Sequence, residues 1–272
     1  MQTFFRKQIM LPQDHGSWVF LLSPLIIGLI TGRTFSWTSL ALTVAALFSF
    51  LLRQPVTMAV KAYSGRRPRT DLPAASLWIA IYGLILLIAV GKLVIDGFGF
   101  VLWLAAPGLP IFSWHLWLVS RREERRQAGV EILATGVLAL SAPAALWIGL
   151  SHYDSNGWWL WLLTWLQSSA SIVYAYLRLE QRVQASAWSR RESWKKGRRA
   201  LLYTSFNLFF TLVLSWIGWL PRFVFLAFLI QWVETLWGIT HPAAGWKPVR
   251  IGTRQLIVSC LWTILFIVFW KV

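Results

Sequence analysis

The sequence predicts an all-α, polytopic membrane protein: one helix bundle with nine transmembrane helices in a single domain over residues 1–272. Three observations predict it. Hydrophobic residues make up 57% of the chain against 13% charged residues, and the mean hydropathy is +0.58, a balance foreign to soluble domains. The apolar runs continue over roughly the 20 residues that about 30 Å of hydrocarbon demands, whereas barrel strands would alternate in polarity over about ten. Finally, positive charge is confined to alternate connections between those runs.

Taken in order, each run is bounded by Gly, Pro or a cluster of charge. The first spans about Gly16 to Gly32, the second Trp37 to Ala59, the third Ala74 to Ile95 and the fourth Phe98 to Val119. Gly129 to Leu150, Trp158 to Leu177, Leu201 to Trp219 and Phe223 to Ile239 follow, and Leu256 to Trp270 closes the series. Of the 26 Lys and Arg residues, only Arg33, Lys92, Arg222 and Lys271 fall on the second side of this arrangement. The positive-inside rule therefore puts the N-terminus in the cytoplasm and the C-terminus outside. Removing or adding one span would place basic loops on opposite faces.

The formal charge of +16 invites a nucleic-acid reading, but these charges are better explained by topology and by anionic headgroups; no nucleic-acid partner is expected. The segment Ser186 to Arg199, SAWSRRESWKKGRR, is the strongest candidate for headgroup contact, with Trp188 and Trp194 as anchors of an interfacial helix. The 20 Trp residues mostly fall at span ends, where aromatic belts form; a wall for a flat or polyene ligand such as a quinone, carotenoid or chlorin is the sharper but less favoured alternative. No cleavable signal peptide is evident between Met1 and His15. The single Cys260 excludes disulfides, zinc sites and iron–sulfur clusters, and no histidine pair is placed centrally for a haem. No cofactor and no metal site are expected.

Chemically informative residues are polar groups that a membrane makes expensive, and they gather on the cytoplasmic side. Asp14 and His15 open the first span in LPQDHGSW, as helix caps or as site residues. Arg53 lies in RQP, where Pro55 removes a helix donor, and Lys61 follows on nearly the same face; snorkelling is the alternative for Arg53. In the sixth span Gln167, Ser168, Ser169 and Ser171 form a polar patch. Tyr174, Arg178 and Arg182 then repeat at four-residue spacing, one stripe on one face. Glu131 begins the fifth span, either ion-paired with Arg125 or Arg126 or functional; Gln231 and Glu234 lie within the eighth, followed by His241. Asp14, His15, Arg53, Lys61, Tyr174, Arg178, Arg182 and His241 are the candidates for binding an anion or a lipid head, and Glu234 and Glu131 for accepting a proton if burial raises their pKa.

LPQDHGSWVFLLSP, LLRQP, RREERRQAGVEILA, YAYLRLEQR and KPVRIGTRQL together resemble the YwiC-like family of bacterial membrane proteins, over essentially the whole chain. That family is in turn distantly similar to the UbiA prenyltransferase superfamily. The resemblance implies nine helices, a cytoplasmic N-terminus and a cavity opening toward the cytoplasm or the lipid. It also exposes a departure, since those prenyltransferases hold magnesium on Asp-rich motifs after their second and sixth helices. This chain has only Asp14, Asp71, Asp96 and Asp154, no two in one loop, so paired magnesium sites lack their hard oxygen ligands. The matching positions are basic instead, Arg53 to Lys61 and Tyr174 to Arg182, and Arg can hold a phosphate or carboxylate directly.

The favoured reading is a UbiA-like protein that binds an amphipathic or isoprenoid lipid, a quinone included, through a basic cavity without magnesium–diphosphate chemistry. If enzymatic, it would be a metal-independent lipid-modifying enzyme. The alternatives are a noncatalytic assembly factor for a larger respiratory or photosynthetic complex, with a membrane-protein partner, and a small-molecule transporter with Pro24, Pro55, Pro107, Pro110 and Pro143 marking interrupted spans. The bacterial plasma membrane is the expected location, a thylakoid membrane the alternative.

Overall fold

The computed structural model describes residues 6–12, 15–33, 35–123, 127–184 and 189–271. Every extended apolar run has become helix, and no strand occurs among the described residues. After a short α1 (Lys7–Met10) come α2 (His15–Thr31), α3 (Trp37–Tyr63), α4 (Leu72–Ile95), α5 (Gly108–Arg121), α6 (Ala128–Ala139), α7 (Ser141–Leu150), α8 (Asn156–Arg182), α9 (Arg190–Trp216), α10 (Phe225–Thr240) and α11 (Pro248–Lys271).

Departures from the expected runs have local causes. The fourth run opens as a 3-10 segment, Gly99–Ala105, and becomes α-helical only at α5, because Pro107 and Pro110 supply no backbone N–H to the preceding turn. The fifth run divides at Leu140 into α6 and α7, just where Pro143 cannot bond the Ala139 carbonyl. The basic segment expected to lie along the interface is, from Arg190 onward, the first turns of α9; Trp188 lies outside the described residues. Ser189 and Glu192 start α9 with a reciprocal capping box, and those hydrogen bonds hold the Glu192 carboxyl below its usual pKa.

Five helical stretches are long and apolar enough to cross a membrane: Trp37–Tyr63, Arg69–Ile95, Gly99–Arg121, Ala128–Leu150 and Pro248–Lys271, with Gly16–Thr31 and Phe225–Thr240 shorter but apolar. This is the build of a membrane-embedded bundle. Its large exposed residues include Leu84, Leu87 and Ile88 on α4 and Phe206 and Phe209 on α9, side chains suited to lipid rather than water.

Within the bundle α2 is central, packing against α7, α11, α6 and α8, while α3 pairs with α4, and α9 with α10. The crossing of α2 and α7 is close because it is built of small residues. A Cβ on Gly149 would lie 2.8 Å from the Gly32 Cα, and one on Gly28 would strike the Ala142 carbonyl. One buried cluster joins Leu146, Leu160, Phe228, Trp262 and Phe266 from four helices; a second joins Leu25, Leu42, Ala89 and Ile148. A third, of Val173, Tyr174, Leu177, Ala200 and Ile239, forms the floor beneath the polar site described next.

Candidate functional site

The C-terminal end of α8, the C-terminal end of α10 and the N-terminal end of α11 meet at the basic end of the bundle. The four-residue spacing of Tyr174, Arg178 and Arg182 does put them on one face of α8, and that face is turned inward: Tyr174 is 2% and Arg178 only 1% exposed. Gly238 on α10 makes this possible, since any Cβ there would collide with the Tyr174 hydroxyl and ring.

Arg178 is held by the end of α10. Its Nη1 donates to the carbonyls of Gly238 and His241, both at 2.8 Å, and to Gln181 Oε1 at 2.8 Å. The last turn of a helix leaves carbonyls without intrahelical partners and carries partial negative charge, so a buried guanidinium there serves as a cap. Gln181 completes the arrangement, its Nε2 donating to the Gly238 carbonyl and its Oε1 accepting from the Ala243 amide. The guanidinium also sits 4.9 Å from the Trp246 ring and 5.3 Å from Trp237, within cation–π range. Arg182 is half-buried and donates to the Trp246 carbonyl, fixing the α10–α11 connection from the other side.

One turn deeper on α10, the buried Glu234 carboxylate takes three hydrogen bonds. Tyr174 Oη donates at 2.7 Å, and Arg254 of α11 grips both oxygens, Nε at 2.7 Å and Nη2 at 2.8 Å. This planar two-point pairing is the strong form of an Arg–carboxylate interaction. Trp237 packs beneath it, with the Arg254 guanidinium 3.6 Å from its ring centroid and the His241 imidazole stacked on it at 5.0 Å. Arg250, one turn before Arg254, is exposed and lies 4.0 Å over Trp246; it has no acidic partner among the described residues. With Glu234 set against Arg178 and Arg254, and Arg250 added, the site keeps an excess of positive charge.

A groove of about 550 Å³ opens beside this pair, lined by Glu234, Trp246, Arg250, Thr253, Arg254, Ile257 and Val258. It is cationic at one rim and apolar at the other.

Sequence reasoning thus placed Tyr174, Arg178, Arg182, Glu234 and His241, and the structure brings all five together. Arg53 and Lys61 stand apart on α3, whose principal neighbours are α1, α2, α4, α5 and α7; Arg53 lies 5.1 Å over the Phe50 ring. Glu131 is exposed on α6 and accepts from Tyr176, a residue on a different face of α8 from Tyr174. His15 is the first residue of α2, and Asp14 lies outside the described residues. Among the described residues no group of three His, Cys, Asp or Glu side chains could hold a metal. Arg250, Arg254, Trp237, Trp246 and Gln181 were missed. The available signal was the i, i+4 pair of arginines entering the last apolar run, opposite a carboxylate too deep to be left unpaired.

Residues 11–146 match the family described as YwiC-like protein, half of the chain. The protein belongs to the YwiC-like family. Over 260 residues it is 25% identical to the Bacillus subtilis (strain 168) protein called "Uncharacterized protein YwiC", covering 92% of this chain and 94% of that one. No solved structure matches. The family match ends before α8, so the Glu234–Arg254 site of this YwiC-like protein lies wholly in the segment beyond it.

Proposed function

We propose that this YwiC-like protein crosses the bacterial plasma membrane nine times in a UbiA-like topology and receives the anionic head of an amphipathic or isoprenoid lipid in the α10–α11 groove. The groove itself carries this reading. Arg250 and Arg254 are presented on the flat faces of Trp246 and Trp237, which restrains long side chains and lowers the entropy lost on gripping an anion. From the apolar rim, Ile257, Leu261, Ile264 and Val268 continue along α11, between 47% and 58% exposed. Their spacing is that of a single helical stripe, a track for an acyl or prenyl tail running away from the head.

In this reading Glu234 is a positioning residue. It holds Arg254 by two hydrogen bonds and takes the Tyr174 hydroxyl as a third, so its lone pairs are directed at donors and not at a substrate proton. Arg178 acts similarly at one remove, capping α10 so that Glu234 and Trp237 stay in place. No magnesium is required, because Arg250 meets the anion directly.

The test is lipid mass spectrometry on protein purified in mild detergent, comparing wild type with Arg250→Ala. An anionic amphipathic lipid that copurifies with wild type and is depleted in the variant is expected. An equal lipid complement in the two proteins overturns the reading, and a stoichiometric protein companion with no lipid would instead select the assembly-factor alternative.

A further inference from the structure

Below the Glu234–Arg254 pair, polar side chains continue into the bundle. Gln231 lies one turn deeper on α10, and its Oε1 accepts from Gln255 at 2.9 Å and from Gln167 at 3.3 Å. Gln255 Nε2 also donates to the Ser171 hydroxyl at 2.6 Å. Beyond them is a narrow cavity of about 10 Å³ between α2, α8 and α11, lined among others by Phe20, Ser23, Pro24, Gln167, Ser259 and Trp262. At 1.5 Å per residue, Ser259 is about 8 Å further along α11 than Arg254.

Two atoms of this lining are buried without a hydrogen-bond partner: the acceptor Gln167 Oε1 and the donor Trp262 Nε1. Their residues are 4% and 2% exposed. Pro24 adds a further acceptor, because it cannot supply the N–H that the Phe20 carbonyl one turn earlier would otherwise receive. Two amide atoms of the adjoining Gln cluster, Gln231 Nε2 and Gln255 Oε1, are likewise buried without partners. Leaving such groups dry costs on the order of 1–3 kcal/mol each, and the hydroxyls of Ser23, Thr164, Ser168 and Ser171, which also line the cavity, are already engaged elsewhere in the bundle.

The chemistry of the lining decides the ligand class. An indole N–H facing the site repels a bare cation. The absence of any charged group among the lining residues gives an anion no counter-charge. A water molecule both donates and accepts, matches a cavity of this size and satisfies neutral groups of both kinds. We infer that the α2–α8–α11 cavity is an internal water site, held by Trp262 Nε1, Gln167 Oε1 and the Phe20 carbonyl and joined through the Gln167–Gln231–Gln255 amides to the Glu234 groove. The interior of the bundle is therefore hydrated well below its basic end.

Radiolytic hydroxyl footprinting of the full chain in nanodiscs tests this, because radicals formed from a bound water oxidise the side chains touching it. Trp147 is the internal control, being 3% exposed with its Nε1 already donating to the Asp154 carbonyl. Oxidation of Trp262 several times that of Trp147 is expected, falling to the Trp147 level in Gln167→Met, which removes the acceptor. Ser259→Val, which fills the cavity from α11, should do the same if Gln167→Met does not fold. Trp262 oxidation no greater than that of Trp147 in the wild type, or unchanged in a folded variant, overturns the inference.

Discussion

Two carboxylates at the basic end of the bundle are each bound by arginine, and they differ in everything around that bond. Asp71, just before α4, is bridged by Arg6 and Arg67, each at 3.0 Å. The Arg6 side chain is 52% exposed, and the neighbouring bonds, Gln54 to the Gln8 carbonyl and Tyr82 to the Met10 carbonyl, all pin α1 to the α3–α4 pair. Ile9 is fully buried in that seat, against Ala74 and Ala75. Glu234, by contrast, sits among Tyr174, Trp237 and Trp246 and opens on a groove. Both carboxylates are buried, with side chains 5% and 8% exposed, and Arg254 is no more buried than Arg67. The difference is that aromatic faces hold Arg254 and Arg250 beside an apolar track, whereas the Asp71 pair only clasps α1 to its neighbours. Surroundings, not the pair itself, separate the two roles.

The largest difference between the regions should appear on removing each acid. Glu234→Ala leaves the part-exposed Arg254 without its carboxylate and the buried Tyr174 hydroxyl without its acceptor, and should cost about 1–3 kcal/mol. Asp71 is equally buried, but Asp71→Asn keeps a hydrogen-bonding side chain in its place and leaves Arg6, 52% exposed, free to turn to solvent, so it should cost about 1 kcal/mol. Thermal unfolding in detergent checks both; equal losses would mean that the surroundings do not distinguish the pairs.

A sharper probe is steric. Gly238→Ala places a methyl group against Tyr174 and should destabilise by about 1–3 kcal/mol, with loss of lipid retention, whereas Gly252→Ala on α11 meets nothing within 4 Å and should be neutral in the same unfolding assay. At the next level, Arg250→Ala should weaken retention of an anionic lipid by the detergent-solubilised protein about fivefold, the loss of roughly 1 kcal/mol from one charge-assisted contact. Arg67→Ala, whose guanidinium is committed to Asp71 and does not line the groove, should leave that retention unchanged. Any activity towards the bound lipid should survive magnesium chelation, and strict dependence on magnesium would reveal metal ligands outside this site.

The smallest expected effect is at the start of α9. Glu192 has its pKa lowered first by the Ser189 hydroxyl and then by the Ser189 backbone N–H. A depressed carboxylate contributes stability above its ordinary pKa and loses it as pH falls through the depressed value. Amide exchange in the first turn of α9 should therefore quicken on acidification below the ordinary carboxylate range, and Ser189→Ala should remove most of that dependence.

Helices were legible because their signal is local. The expected runs lie within a few residues of α2, α3, α4, α8 and α10, and the interruptions before α5 and between α6 and α7 fall in spans that Pro107, Pro110 and Pro143 mark. Instead, α9 and α11 begin at Arg190 and Pro248, well ahead of Leu201 and Leu256, because their basic first turns read as connections. One stripe was legible too, since Tyr174, Arg178 and Arg182 repeat on a single helix. What periodicity cannot supply is which helix faces which. Arg254 belongs to Glu234 across a turn between α10 and α11, and as a cation near a span end it looked like topology. Arg178 looked like an anion ligand, yet α10 stops at Thr240 and leaves carbonyls that claim it. Arg53 and Lys61 matched the position of an Asp-rich motif by order in the chain, but α3 packs with the N-terminal helices and holds them away from the Glu234 groove.

The most direct test of the central claim is photo-crosslinking with an anionic lipid carrying a diazirine on its tail, followed by peptide mapping of the labelled protein. Adducts concentrated on α11 along Ile257, Leu261 and Ile264, and lost in Arg250→Ala, are expected. Adducts spread equally over the exposed face of α4, or unchanged by that substitution, would contradict it.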